Sequence, residues 1–393
     1  MRLLKRVFFF LIAIVVVAIS LAYLTGNTHI LNGLPSTYFV GKSKPDIDDI
    51  GYFSVSTIRA DKPEPLPMHG LFNQYTLTDS SERFAADLGT TAFILLKNDS
   101  VLLEKYWNDG AADRLSNSFS MAKTFTALLV GIAIEEGYIL SVQQKAIDFI
   151  PELKGEFAKD LTIENLLQMT SGIPFGESYA SPFGYMAKAY FGKDLLSETL
   201  EYQVTASPGK GWVYEGGNTV LLGLILERAT GRKVSDYFHQ KVWSCIGAEK
   251  DAHWNLDKEN GMEKTFSGFY ATARDFGRIG QLLLHNGVIG NDTLIQPEYM
   301  KKLSTPCMIK DVSPNNSSEM CYWYGYQTWL GTYRNQPFVS MRGMRGQYVV
   351  AFPESNLVMV RLGHEQNKER ENHMPSDMIR WMDVAFEAAN FAP

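Results

Sequence analysis

The sequence is poor in the residue types that build metal centres and disulfide frameworks. It has three cysteines in 393 residues, and its seven histidines are scattered, without a His-x-x-x-His or paired-cysteine spacing. No zinc site is therefore indicated, and His285 and His364 read as structural or surface residues. No Gly-rich loop of phosphate-binding spacing follows a strand-like run, which argues against a nucleotide cofactor. Basic runs are missing as well: 37 Lys and Arg stand against 43 Asp and Glu, a formal net charge of −6. That balance speaks against nucleic acid as a partner. No internal repeat is present. Chemistry is thus expected from hydroxyls, amines and backbone groups, with no metal and no organic cofactor.

Long uncharged runs are also missing, with one exception. Arg2, Lys5 and Arg6 precede Val7 to Leu24, and the next charged residue is Lys42. About 18 apolar residues are just enough to cross a bilayer, and no small-x-small cleavage site follows them. Residues 1–24 are read as an uncleaved membrane anchor, a signal segment being the alternative. The basic flank would stay cytoplasmic. Everything after it would then lie outside the cytoplasm (the periplasmic side of the inner membrane in a bacterium), or be secreted if the segment is cleaved. The lipid bilayer is the expected partner of this segment.

Residues 25–85 are rich in Pro, Asp, Gly and Thr without a strong period, and read as an extended arm packed on the domain or a spacer. The remainder, 86–393, reads as one catalytic domain. Within it, Ser118-Phe119-Ser120-Met121-Ala122-Lys123 opens an apolar run from Thr124 to Ile134 that Gly137 stops. This predicts a buried helix of about four turns. Ser120 falls at its N-terminus, where unpaired N–H groups and the helix dipole favour an oxyanion. Lys123 lies one turn on and on the same face. A buried ammonium is costly unless paired or deprotonated, and a lysine of lowered pKa beside a serine is a nucleophile pair. The alternative is plain: Ser120 an N-cap and Lys123 a snorkelling side chain.

Thr91–Leu96 and Val101–Trp107 read as a hairpin, and Tyr324–Tyr333, Gln347–Phe352 and Leu357–Leu362 as further strands. Between them lie helices over 161–167, Asn218–Thr230 and Ala273–His285, with a last amphipathic helix over Ser376–Ala389. The fold class is therefore α+β, an antiparallel sheet built from both ends of the chain with an inserted helical lobe at about 124–305.

This order resembles the serine β-lactamase and penicillin-binding-protein superfamily. The phrases Leu161-Thr162-Ile163-Glu164-Asn165-Leu166-Leu167, Pro208-Gly209-Lys210-Gly211-Trp212-Val213-Tyr214 and Leu221-Leu222-Gly223 look like its class C-like branch. The resemblance implies a proton-relaying role for Tyr214, which neighbouring cations would have to assist by depressing its pKa. Gly216 stands where the branch's Tyr-x-Asn motif has asparagine. Met341-Arg342-Gly343-Met344-Arg345-Gly346-Gln347 stands where Lys-Thr-Gly is usual, so the charged first residue is missing. That departure, with Asp251-Ala252-His253-Trp254 and Ala271 to Arg278, is similar to the 6-aminohexanoate-dimer hydrolase group, which cleaves small linear amides or esters.

By that resemblance Met344 N–H joins Ser120 N–H as an oxyanion hole. Tyr179 falls where a loop tyrosine touches substrate, and Arg342, Gly343 and Arg345 flank the same site. The expected function is a serine hydrolase acting on a small amide or ester through an acyl-enzyme on Ser120, with Lys123 and Tyr214 moving the proton. Two alternatives stay open: a β-lactamase or D-alanyl carboxypeptidase, and a catalytically idle binding protein on the same fold. Oligomeric state is left open.

Cys307 and Cys321 bracket a stretch centred on Pro314-Asn315-Asn316-Ser317-Ser318, read as an exposed loop. They can pair in an oxidising compartment, stabilising the fold by roughly 3 kcal/mol, or both be small buried hydrophobes. Cys245 is expected to be the buried odd thiol.

Overall fold

The computed structural model describes residues 1–314 and 319–391. Thr90–Lys97 and Ser100–Tyr106 pair antiparallel. Asn98 and Asp99 turn the hairpin, both at positive φ (48° and 61°), as a two-residue primed turn requires. Four strands from the C-terminal part complete a six-stranded sheet. Its order is Ser100–Tyr106, Thr90–Lys97, Leu357–Gly363, Gln347–Phe352, Gln336–Gly343, Trp329–Tyr333, antiparallel throughout. The sheet is built from both chain ends with helices between, as the short β runs predicted. Two boundaries differ: the strand expected from Tyr324 begins at Trp329, and the Met341–Gln347 stretch breaks at Gly343, where Met344–Gly346 makes a tight turn.

Helices cover both faces of this sheet, which is why Phe93 to Leu96 is apolar without alternation. Ala273–Leu284 lies on one face, and a Cβ on its Gly280 would meet Val358 Cγ1 at 2.3 Å. The other face carries Asp79–Asp87 and Ser376–Ala389, with Trp381 stacked on Phe93 at 4.9 Å and 5.5 Å from Phe84.

The helix behind Ser120 spans Ala122–Glu135 and is buried from Ala122 to Ala133. Gly131 leaves room for the Tyr299 ring, which a Cβ would meet at 2.5 Å. The helix ends before Gly137, at φ 76°. Gly217–Thr230 packs beside it, closed by Gly231 in the left-handed region, where glycine costs nothing. The shorter Ile163–Leu167 helix starts on a capping box between Thr162 and Asn165.

A second sheet was not anticipated from the sequence: Val55–Ile58, Ala252–Asn255, Phe269–Ala271 and Ser116–Asn117, in that order. Its strands are two to four residues long, too short to register as a pattern. Through it the 25–85 stretch is stitched to the domain, since Val55–Ile58 pairs with Ala252–Asn255. The helix Thr28–Gly33 packs on Tyr185–Phe191. Arg2–Leu24 is a single helix with no buried residue, long and apolar enough by length and composition to cross a membrane.

All three cysteines are free thiols. Cys245, expected to be buried, is exposed, while Val242, Trp243, Ile246 and Ala248 around it turn inward. Cys321 is the buried thiol. The stretch between Cys307 and Cys321 is partly paired, with an antiparallel bridge from Lys310 to Met320 and Cys321 N–H donating to Ile309 O at 2.8 Å. The predicted loop centre at 315–318 lies outside the described residues.

Candidate active site

Ser116–Asn117 delivers the chain to Ser120 through an unusual backbone. Phe119 sits at φ 44°, a region that costs a non-glycine residue about 1–3 kcal/mol. Its surroundings hold it there: Phe119 N–H donates to Asn117 Oδ1 at 2.9 Å, Ser118 N–H to Phe269 O at 2.7 Å, and the ring is buried. Asn117 is fixed in turn by donating to the hydroxyls of Tyr190 and Tyr270. The strained residue turns Ser120, half-buried, toward a cavity.

Lys123 is 1% exposed and donates to Ser120 Oγ and to Phe266 O, both at 3.0 Å. Burial pushes its pKa down to about 8, against the opposing field of Glu177. The lysine therefore holds a substantial neutral fraction near physiological pH, far more than an exposed lysine would, and is already hydrogen-bonded to the serine.

Tyr214 stands beside the pair, its ring centroid 5.0 Å from Lys123 Nζ and its hydroxyl close enough to Ser120 to feel it. Trp329 and Tyr324 wall its ring, at 5.3 and 5.9 Å. The expectation of a depressed phenol is overturned here. Burial and then the Glu177 charge drive the Tyr214 pKa up, so it stays a neutral phenol rather than a phenolate. Tyr179, 57% exposed, lines the same cavity as Ser120 and donates to Glu177 Oε1.

Glu177 went unnoticed in the sequence reading. Its Oε2 accepts from Gly216 N–H at 2.6 Å, and its Oε1 accepts from Tyr179. A Cβ on Gly216 would already lie 3.4 Å from Oε2. The carboxylate therefore occupies space beside the position where the class C-like motif would put asparagine. Gly216 in place of asparagine was the available signal: a lost side chain invites another group.

On the opposite wall, the strand Gln336–Gly343 comes so close that a Cβ on Gly343 would sit 2.2 Å from Ser118 O. Met344, next along, faces the same cavity as Ser120. Gln347 pins the turn by donating to Met344 O at 3.1 Å and Gly363 O at 2.7 Å. Arg342 and Arg345, expected near substrate, have other partners. Arg342 is buried over the Trp329 ring (5.0 Å) and donates to His373 O. Arg345, at φ 63°, donates to Pro45 O and His364 O, both at 2.6 Å. Each guanidinium satisfies buried carbonyls, which is why neither lines the cavity.

That cavity is about 110 Å³, walled by Tyr179, Met186, Tyr190, Phe191, Phe266 and Met344. It is mostly apolar and suits a linear acyl chain. A larger one, about 550 Å³, lies beyond Val213 and Glu215 and touches none of Ser120, Lys123 or Tyr214.

Residues 82–380 match the family model described as Beta-lactamase. Among characterised proteins, the 6-aminohexanoate-dimer hydrolase of Paenarthrobacter ureafaciens is 25% identical over 287 residues, 70% of this chain and 72% of that protein. Penicillin-binding protein 4* of Bacillus subtilis (strain 168) is 24% identical over 53% of this chain and 51% of its own length. Among solved structures, a "Putative 6-aminohexanoate-dimer hydrolase from Bacillus anthracis" superposes with a TM-score of 0.70 at 23% identity, covering 87% of this chain and 92% of that one.

Proposed function

Because this chain belongs to the β-lactamase family and is a serine hydrolase of amides or esters, we propose that Ser120 is its nucleophile and Lys123 its general base. The observation that carries this is the buried Lys123 amine, 3.0 Å from Ser120 Oγ and desolvated toward its neutral form. Ser120 Oγ bonds to the substrate carbonyl carbon while its proton passes to Lys123 Nζ. The resulting oxyanion is held by the N–H groups of Ser120 and Met344. The C–O or C–N bond then breaks, and the leaving alcohol or amine takes the proton from Lys123 by way of the Tyr214 hydroxyl. Water attacks the acyl-enzyme by the same route reversed, releasing the acid and restoring Ser120.

The narrow aromatic cavity favours a linear acyl group over a fused β-lactam. Tyr179 borders the substrate with its exposed edge. Labelling of the purified chain with a fluorophosphonate probe, followed by a panel of small esters and amides, tests the reading: loss of label in Ser120→Ala with turnover intact would sink it. Arg2–Leu24 acts as an anchor that leaves the domain outside the cytoplasm. Exposed Cys245 allows a direct check, since a membrane-impermeant maleimide should label it on intact cells.

A further inference from the structure

The arm that follows the apolar helix builds the entrance to the Ser120 site. His29 Nε2 hydrogen-bonds Pro182 O at 2.7 Å, Asn32 donates to Phe191 O at 3.0 Å, and a Cβ on Gly33 would meet the Phe191 ring at 3.2 Å. Arg345 ties Pro45 down from the other side. Between the arm and the 180–191 segment lies a second cavity of about 180 Å³, lined by His29 and Tyr38 among others. It shares Lys44, Pro45, Tyr179, Ala187 and Phe191 with the cavity at Ser120. The two cavities adjoin, one opening at the arm and the other at the nucleophile.

The mouth at the arm is apolar on the outside. Tyr38, Phe39 and Val40 are 68%, 75% and 46% exposed on the arm, and Phe183, beside Pro182, is 63% exposed on the facing wall. Clustered exposed aromatics of this kind mark an interaction surface, and aromatic rings are favoured at membrane–water interfaces. Chain length says which surface is near. His29 lies five residues after Leu24, the last of the apolar helix. At about 3.6 Å per residue this stretch spans at most ~18 Å. The headgroup layer takes up roughly 5–7 Å of that reach.

We propose that Tyr38, Phe39 and Phe183 seat the domain on the bilayer, and that the substrate is a membrane-dissolved amphiphile whose ester or amide reaches Ser120 through the adjoining cavities. This rests on the serine-hydrolase reading above and names its substrate class. The acyl chain leaves the bilayer past Tyr38 and Tyr179, its ester or amide bond is cleaved at Ser120 with water as the second reactant, the alcohol or amine departs carrying the proton, and the acid returns to the lipid phase.

The test uses the full chain in phosphatidylcholine nanodiscs, as wild type and as Phe39→Ser/Phe183→Ser. Two substrates are compared, soluble 4-nitrophenyl butyrate and a fluorogenic palmitoyl ester dissolved in the disc. Wild type should cleave both. The double variant should keep butyrate turnover within twofold and lose at least tenfold on the palmitoyl ester, with an unchanged melting temperature. Equal turnover of the palmitoyl ester by both proteins would overturn the proposal. So would wild type cleaving butyrate alone, or a double variant whose change is a loss of self-association instead. Absence of turnover on both substrates together with absence of fluorophosphonate labelling at Ser120 would bring down the hydrolase reading, and the proposal with it.

Discussion

Gly343 and Ser118 touch backbone to backbone: a Cβ on Gly343 would lie 2.2 Å from the Ser118 carbonyl oxygen. Gly343 itself is extended, at φ −119°, so glycine is needed there for space and not for conformation. The contact sets how far Met344 stands from Ser120. Gly343→Ala should push the strand off the serine loop and spoil the two-donor arrangement. Loss of one oxyanion donor costs about 10²–10³ in rate, and overpacking adds roughly 1–3 kcal/mol of destabilisation. Turnover of a small ester that is unchanged in Gly343→Ala would remove Met344 from the oxyanion hole.

Ser120→Ala should abolish fluorophosphonate labelling and hydrolysis while the melting temperature stays near wild type, since Ser120 caps no helix with its side chain. Lys123→Ala should cost a hundredfold or more, as loss of a general base does. A Lys123→Ala protein with normal turnover would rule out the proton route.

The pH dependence follows from the lysine. Burial lowers the Lys123 pKa to about 8, so the neutral base is the minor form at pH 6 and the major form above pH 8. kcat/KM for an uncharged ester should rise with pH and level off just above that value. Glu177 acts in the opposite sense, its charge raising the lysine pKa. Glu177→Gln keeps one acceptor oxygen for Gly216 N–H, turns an amide donor toward the Tyr179 hydroxyl and removes the charge, so the midpoint should move to lower pH. A midpoint that stays put or rises contradicts the assignment. The same shift touches stability. The unfolded lysine titrates near 10.4, so between about pH 8 and 10.4 the unfolded chain binds more protons. This group's contribution to stability therefore rises with pH across that window.

Much of this was readable in the sequence where one principle acted alone. The Ser120 helix announced itself because an unbroken apolar run ended in glycine, and the sheet strands because β-branched and aromatic residues recurred between turn signals. What escaped was set by contacts between distant segments. Strands of two to four residues carry no period, so the sheet joining Val55–Ile58 to Ser116–Asn117 stayed hidden. Tyr214 was expected to feel cations, yet burial and Glu177, 37 positions away in sequence, decide its protonation. Arg342 and Arg345 sat next to the right glycine, but residue spacing cannot tell a guanidinium facing substrate from one satisfying carbonyls on the far side of the strand.

That last point fixes the substrate class further. A β-lactam or cell-wall peptide brings a carboxylate that needs a cation on the strand edging the site, and Met341, where the superfamily motif has one, is fully buried. Arg342 cannot substitute, since its guanidinium lies over Trp329 and donates to His373 O. Apart from Lys123, held against Ser120, the cavity is lined by Lys44 of the arm, with 54% of its side chain exposed and Glu365 4.0 Å away. Solvent screens such a charge and leaves it little holding power. Penicillins should therefore label Ser120 slowly or not at all under conditions where a fluorophosphonate labels it fully, and uncharged short-chain esters should turn over faster than any carboxylate-bearing amide. Efficient cephalosporin hydrolysis at micromolar concentration would reverse this ranking and require a cation to move into the site.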